Sequence, residues 1–220
     1  MIVRSVLWYI TTSALCFVPN KTRFVLIDTR HEGNVGAAAR AIKTMGFEDL
    51  VLVTPKDPKV LNRQKTIHGA SGALDILENS KVCSTLEEAL EGIDHWCATA
   101  MPNDMNRERP KWNFSAPRNH FENILSNRKK FPLDEMTLEN ESSAQEKEAT
   151  SPKESDTSNI EIRIAFLFGN ERYGMQDEDI RKCHAVLGIP TNPKFGSLNV
   201  ASAVQLIAYD WREAIGGYKV

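Results

Sequence analysis

Short hydrophobic runs alternate along this chain with segments of helical periodicity. Apolar and β-branched runs predict buried strands within residues 23–29, 49–55, 95–101, 162–171 and 185–190. Within residues 33–47, a Gly-rich turn is expected to lead into a helix that ends at Gly46. Helical spacing predicts further helices at residues 70–92 and 177–184, with a last helix after the loop at 189–199. A capping box at residues 84–88 supports the second helix. This alternation predicts an α/β fold with a mostly parallel sheet flanked by helices.

Four unusual stretches follow predicted strands, at residues 34–40, 99–101, 169–174 and 189–199. Ligand sites of parallel sheets lie beyond the carboxyl ends of the strands. We therefore expect these four stretches to form one composite site.

The first stretch belongs to the motif GNVGAAAR at residues 33–40. Its spacing is GxxG rather than GxGxxG, which disfavours a nicotinamide site of the Rossmann type. The glycines can shape a turn, and the alanines can let the helix pack closely. Arg40 stands among small residues, where its guanidinium could reach a phosphate or a polarised oxygen, but a plain surface role explains it equally well.

The motif FGNERYG, at residues 168–174, places Gly169 and Glu171 directly after a buried strand. Gly169 can bring backbone close to a flat ligand, where a side chain would collide. Alternatively, the glycine only shapes the loop and Glu171 is solvated.

The stretch IPTNPKFGSLNVASAVQ, at residues 189–205, carries the strongest constraints in the chain. Pro190 and Pro193 stiffen the loop. We expect residues 196–198 to offer backbone N–H groups at a helix start, with Ser197 or Asn199 as the cap. A rigid loop with free donors suits a small polar ligand such as a nucleoside.

Composition separates two segments from this core. The whole chain has 220 residues and a formal net charge of −2, with the 41% hydrophobic and 25% charged residues typical of a soluble globular protein. Residues 133–159 are acidic and nearly free of large apolar side chains, which predicts a disordered insertion. Without that insertion the chain is mildly basic, which permits RNA binding.

Residues 1–22 are either a targeting segment or a spurious extension. Thr11, Thr12 and Ser13 interrupt their apolar run, which disfavours a membrane span, so no stable membrane association is expected. We expect a cytoplasmic protein, or an organellar one if the segment is a targeting peptide. The four cysteines form no CxxC pair, which disfavours a zinc site and a disulfide framework and favours a reducing compartment.

Taken together and in order, the three motifs resemble those of the SpoU/TrmH group of SPOUT RNA 2′-O-methyltransferases, most closely its TrmJ branch. The N-x-G-x-x-x-R pattern appears as Asn34, Gly36 and Arg40, and the FGNE-x-x-G pattern occupies residues 168–174. The I-P-x-x-x-x-x-x-S-L-N pattern begins at Ile189 and ends at Asn199. The resemblance covers residues 23–214 apart from the acidic insertion, within a single predicted domain at residues 23–220.

This resemblance implies an α/β fold with a C-terminal trefoil knot and a bound S-adenosylmethionine. The implied cofactor contacts are Thr99, Ala100, Met101, Gly169, Ile189, Gly196, Ser197 and Leu198. The implied catalytic residues are Arg40, Asn34, Glu171 and Ser197, with no metal required. It also implies a homodimer in which Arg40 of one subunit faces the cofactor of the other.

The implied reaction is methylation of a ribose 2′-OH in tRNA, at a pyrimidine at the start of the anticodon loop. The alternatives are an rRNA ribose methyltransferase and a catalytically inactive RNA-binding protein. Two features depart from the family pattern: the acidic insertion, and Gly196 at a position where TrmJ-like sequences often carry serine.

Overall fold

The computed structural model describes residues 21–101, 112–126 and 162–219. The predicted N-terminal segment, apart from Lys21 and Thr22, and the predicted acidic insertion lie outside the described residues and stay predictions. Within the described part of the chain, no helix has the length and hydrophobicity needed to cross a membrane.

A single parallel sheet organises the described residues. Its strands are β1 Thr22–Ile27, β2 Asp49–Val53, β3 Lys81–Cys83, β4 His95–Thr99, β5 Phe114–Ser115, β6 Ile164–Phe168 and β7 Ala185–Leu187. The helices are α1 Glu32–Thr44, α2 Gln64–Ala70, α3 Leu74–Asn79, α4 Leu86–Ala89, α5 Pro117–Ser126, α6 Asp177–Arg181 and α7 Val200–Ala214. The seven strands lie in the order β3-β2-β1-β6-β4-β7-β5, and every pairing is parallel. The predicted α/β fold is confirmed, whereas the threading of its C-terminal part into a knot stays a prediction.

The two central strands, β1 and β6, are buried on both faces. All five residues of β6 are buried, as expected for a strand that helices cover on each side. On one face, Phe24 and Phe166 belong to a core that includes side chains of α1, α5 and α7. On the other face, Val25 and Leu167 pack in a second core with side chains of α4 and α6. The sheet is therefore a rigid platform between two helical layers.

Helix α1 begins earlier than the sequence predicted. Gly33 and Gly36 lie inside the helix, so the expected glycine turn and the expected loop at residues 34–40 are wrong. A Cβ at Gly36 would stand 2.0 Å from the carbonyl oxygen of Thr66 in α2. The glycine is therefore required by the close approach of α2, while the expected close packing of the alanines is confirmed because Ala38, Ala39 and Ala41 are buried.

The helix predicted at residues 70–92 is interrupted by β3. Residues Lys81–Cys83 pair in register with Val51–Val53 at the edge of the sheet, and this tertiary pairing overrides the local helical spacing. The capping box is present at the start of α4, where the Thr85 side chain accepts a hydrogen bond from the backbone N–H of Glu88. The Glu88 carboxylate in turn accepts one from the backbone N–H of Ser84.

Candidate active site

A cleft of about 320 Å³ lies at the carboxyl ends of β4 and β6, beside the loop that joins β7 to α7. Three of the four predicted stretches converge there, as the topology of a parallel sheet requires. The cleft is lined by all eight residues that the resemblance implied as cofactor contacts: Thr99, Ala100, Met101, Gly169, Ile189, Gly196, Ser197 and Leu198. Glu171 also lines the cleft, whereas Asn34 and Arg40 do not.

The loop after β6 is closed by its own hydrogen bonds. Asn170 and Gly174 exchange two backbone bonds, of 3.1 and 2.7 Å. A Cβ at Gly169 would lie 2.1 Å from the backbone nitrogen of Met175. A need for glycine at position 169 therefore arises within the loop itself, and the close approach of this backbone to a flat ligand stays a prediction.

Asn170 is a buried residue of this loop that the sequence interpretation did not single out. Its side-chain NH₂ donates to the backbone and carboxylate oxygens of Asp28, at 2.7 and 2.8 Å. Its side-chain oxygen accepts from the backbone N–H groups of Arg172 and Tyr173, at 2.8 and 3.0 Å. The position of Asn170 inside the quoted motif FGNERYG was the available signal.

The Glu171 carboxylate binds the segment that precedes and starts α1. One oxygen accepts hydrogen bonds from the Thr29 hydroxyl at 2.9 Å, the His31 N–H at 3.1 Å and the Asn34 side chain at 3.1 Å. The other oxygen accepts from the Arg30 N–H at 3.0 Å. The alternative of a solvated Glu171 is therefore wrong.

These bonds stabilise the ionised form of Glu171. Burial alone raises the pKa of this carboxyl, but the hydrogen bonds donated by Asn34, by backbone N–H groups and by Thr29 outweigh it, so the pKa lies below its usual value. The side chain consequently carries its charge at neutral pH.

Asn34 connects the second motif to the third. Its NH₂ group donates to Glu171, and its oxygen accepts from the side chain of Asn199 at 2.8 Å. The Asn199 oxygen accepts from the backbone N–H of Ala201 at 2.9 Å and so caps α7. Of the two predicted caps, Asn199 is therefore the correct one, and Ser197 lies in the cleft instead. All three motifs are joined by one hydrogen-bonded chain from Glu171 through Asn34 to Asn199.

The loop before α7 turns tightly between Asn192 and Phe195. The Phe195 N–H donates to the Asn192 carbonyl at 3.0 Å, and the Lys194 N–H donates to the Asn192 side chain at 3.0 Å. A Cβ at Gly196 would stand 3.0 Å from the Thr191 hydroxyl and 3.4 Å from the Met101 sulfur. A larger residue at position 196 would thus crowd the cleft.

Arg40 is exposed on α1 and lies outside the lining of its own chain's cleft. Another cationic side chain, Arg172, lines the cleft, and Arg30 shares its aromatic neighbour Tyr173. The guanidinium carbons of Arg30 and Arg172 lie 5.5 and 5.3 Å from the centre of the Tyr173 ring, and Arg172 and Tyr173 line the cleft. The sequence interpretation missed these three residues, although two of them belong to the quoted motif FGNERYG.

Comparisons with known proteins agree with this arrangement. The model of the SpoU rRNA Methylase family matches residues 21–115 and 112–209. The chain is 34% identical over 195 residues to a tRNA (cytidine/uridine/adenosine-2′-O-)-methyltransferase, TrmJ, of Pseudomonas aeruginosa, covering 89% of this chain and 62% of that protein. It is 33% identical to TrmJ of Photorhabdus laumondii, covering 87% of this chain and 64% of the relative. The chain thus spans less than two thirds of the length of these relatives.

Solved structures show the same fold. A probable methyltransferase from Bordetella pertussis is 34% identical, with a TM-score of 0.68, and the match covers 90% of this chain and 97% of that one. TrmJ from Z. mobilis ZM4 is 26% identical, with a TM-score of 0.63, and the match covers 90% of this chain and 72% of that one. The fold is therefore the SPOUT fold, and the chain belongs to the SpoU rRNA Methylase family.

Proposed function

We propose that this protein methylates a ribose 2′-OH in tRNA, with S-adenosylmethionine as the methyl donor. The observation that carries the proposal is the hydrogen-bonded chain from Glu171 through Asn34 to Asn199, which joins the three motifs beside one cleft. The Photorhabdus laumondii relative is a tRNA (cytidine/uridine-2′-O-)-methyltransferase, and the Pseudomonas aeruginosa relative is named for adenosine in addition. Cytidine and uridine are the targets that both names share, and this supports a pyrimidine target. The finer proposal, a pyrimidine at the start of the anticodon loop, follows from the resemblance to the TrmJ branch.

The cleft fits the donor in size and in lining. Its volume of about 320 Å³ is within the range of small-molecule sites. Ile189 and Leu198 offer apolar contacts for an adenine ring, and Gly196 keeps the space between Thr191 and Met101 open. The Thr99 hydroxyl donates to the Leu167 carbonyl at 2.8 Å, which fixes the end of β4 against β6 at the floor of the cleft.

S-adenosylmethionine supplies a methyl group that is already activated by a sulfonium charge. The protein therefore has to align the 2′-oxygen and assist loss of its proton. The Arg40 guanidinium offers N–H donors and serves as a hydrogen-bond donor that orients the ribose and stabilises negative charge on the oxygen. Ser197 contacts the hydroxyl from the cleft side, while Glu171 and Asn34 hold the motif loops in place.

The site is completed by a second copy of the chain. Arg40 is exposed and lies outside its own cleft, so a homodimer that presents it to the partner's cleft accounts for its position. Mixing two inactive variants tests this arrangement. Arg40→Ala leaves the cleft intact, and Gly196→Val fills the cleft but leaves Arg40.

Subunit exchange between these variants should restore activity. Random pairing makes half of the dimers mixed, each with one complete site out of two, so we expect about a quarter of the parent activity. A mixture that exchanges subunits and stays inactive would show that Arg40 acts within its own chain.

The reaction itself is tested with labelled S-adenosylmethionine and purified total tRNA or rRNA, followed by mapping of the methylated riboses. Label in a tRNA ribose supports the proposal; label confined to rRNA, or no transfer by a folded dimer that binds the donor, contradicts it.

Arg40→Ala should lower kcat/KM by at least about 100-fold, since it removes a transition-state donor. Lys43→Ala is the matched control, because Lys43 is also exposed on α1 but pairs with Asp75.

A further inference from the structure

A cluster of metal-binding side chains lies at the opposite end of β4 from the cleft. His95 and Cys97 are the first and third residues of this five-residue strand, whereas Thr99, its last residue, lines the cleft. Residues two apart on a strand face the same side of the sheet. Helix α5 brings His120 to that side, so the three side chains come from two elements that are distant in sequence.

Two of the three separations between the ligand atoms of this cluster match those of a coordination site. The Nε2 atoms of His95 and His120 are 3.2 Å apart, and the Cys97 sulfur is 3.5 Å from the His120 Nε2. All three ligand atoms lie within 4.8 Å of one another. Zinc bonds of about 2.0–2.1 Å to nitrogen and about 2.3 Å to sulfur at tetrahedral angles place nitrogens about 3.3 Å apart and nitrogen and sulfur about 3.6 Å apart.

We propose that His95, Cys97 and His120 bind a zinc ion. The two imidazoles and one thiolate are nitrogen and sulfur ligands of the kind zinc prefers, and three protein ligands leave a fourth position for water. Binding displaces the Cys97 thiol proton to solvent, so one proton is released for each ion bound. This site is separate from the proposed methyl transfer, which needs no metal.

The surroundings hold the ligands in place. Cys97 is 0% exposed and His95 is 6% exposed. The His184 ring stacks on His95 with 4.8 Å between centroids, and its own Nδ1 accepts a hydrogen bond from the Trp96 N–H at 3.2 Å. His184 is therefore engaged with the backbone and supports the His95 ring from the side.

The ion would join α5 to the sheet. Helix α5 packs on α7, where the Phe121 and Trp211 rings lie 5.1 Å apart. A bond from His120 to a metal on β4 adds a second anchor to this helix, in the same core that supports α7. Zinc removal should therefore lower the melting temperature of the whole domain.

The sequence did not indicate this cluster, because its ligands lack the close spacing by which zinc sites are usually recognised. Zinc sites are recognised in sequences by close pairs such as CxxC, and the absence of such a pair disfavoured a zinc site here. The ligands of this cluster are instead a His-x-Cys pair on a strand and a histidine on a helix brought close by the fold.

Metal analysis and cobalt substitution test the proposal on the full-length chain. Zinc content is measured after dialysis, and Co²⁺ is titrated into chelator-treated protein. We expect one zinc per chain, and cobalt spectra with visible bands of tetrahedral geometry and a thiolate charge-transfer band. Cys97→Ser should abolish the charge-transfer band, and His120→Ala should weaken zinc binding by more than about 100-fold.

Cys83→Ser is the control, because Cys83 is another buried free thiol but belongs to the core on the other face of the sheet. It should leave the cobalt spectrum unchanged. Folded parent protein that binds neither metal at one equivalent would overturn the proposal, and so would a charge-transfer band that survives in Cys97→Ser. Circular dichroism of the same samples identifies unfolded variants, and the parent titration decides the question even if both variants fail to fold.

Discussion

Replacing Glu171 by glutamine isolates the contribution of its charge to the candidate site. Glutamine has the same shape, and its carbonyl can keep the three hydrogen bonds now made by one carboxylate oxygen. Its NH₂ group then faces the Arg30 N–H, which currently donates to the other oxygen at 3.0 Å. The substitution therefore removes the charge-assisted hydrogen bond from the Arg30 N–H and weakens the three others. It also places two hydrogen-bond donors, the glutamine NH₂ and the Arg30 N–H, against each other.

The structure gives an approximate magnitude for this loss. A hydrogen bond to a charged group contributes about 1.5–3 kcal/mol and a neutral one about 0.5–1.5 kcal/mol. Because the carboxylate is only half-buried, we take the lower part of this range and expect a loss of about 1–2 kcal/mol for the set. In a domain of this size that corresponds to a decrease in Tm of about 5 °C at neutral pH.

The difference between parent and variant should depend on pH with a defined sign. The pKa of Glu171 is lowered in the folded protein, so above the usual glutamate pKa its contribution to stability is fully present. As pH falls from the unfolded-state pKa of about 4.3 through the lower folded-state value, the carboxylate is protonated and the contribution is lost. The Tm difference between parent and Glu171→Gln should shrink over that window.

Thermal unfolding followed by circular dichroism, at neutral pH and across the acid range, measures both effects. Glu122→Gln is the control, because it makes the same chemical change at an exposed position on α5, outside the cleft lining. A Glu171→Gln variant as stable as the parent at neutral pH, or a difference that widens on acidification, would refute the reasoning.

Two further predictions concern backbone packing and helix capping. Gly169→Ala should lower the free energy of unfolding by more than about 2 kcal/mol, because the new Cβ would meet the Met175 backbone. Gly33→Ala in α1 places its Cβ where no atom lies within contact distance, so it should raise the free energy of unfolding by up to about 1 kcal/mol. Equal stabilities of the two variants in urea unfolding would contradict this. Asn199→Ala should lower the free energy of unfolding by about 1 kcal/mol or more, because it removes both the cap of α7 and the hydrogen bond to Asn34. The stability of Asn199→Asp should lie between those of Asn199→Ala and the parent, because aspartate keeps only the cap. If both Asn199 variants lose the same free energy of unfolding, the cap does not contribute.

The sequence was most informative where burial is continuous. β1, β2, β4, β6 and β7 were all predicted, because a strand covered on both faces needs a run of apolar residues whatever its neighbours are. β3 was missed because three residues are too few to show the alternation of apolar and polar positions that indicates a strand. Its conformation is decided by pairing with β2. Local patterns therefore predicted the centre of the sheet and not its edge.

At the candidate site, the sequence predicted which segments meet but not why each residue is needed. The convergence of three stretches follows from strand direction alone. The reasons for Gly36 and Gly169 do not, because each depends on how the backbone folds back on the glycine. Gly36 is approached by Thr66 of α2, and Gly169 is approached by Met175 of its own loop. In the same way, the partner of Glu171 could not be read from its own motif, since Thr29, Arg30, His31 and Asn34 come from the other end of the chain.

The hydrogen bonds of Asn34 have a consequence for the proposed dimeric site. Asn34 and Arg40 lie on the same helix, α1, separated by about 9 Å of rise. Because a helix moves as a rigid element, the bonds from Asn34 to Glu171 and Asn199 set where α1, and hence Arg40, stands relative to the cleft loops. In a dimer where Arg40 serves the partner's cleft, the loops of one site would thus determine the position of the arginine in the other. The two sites of a dimer would then be coupled through α1 and not only through the subunit interface.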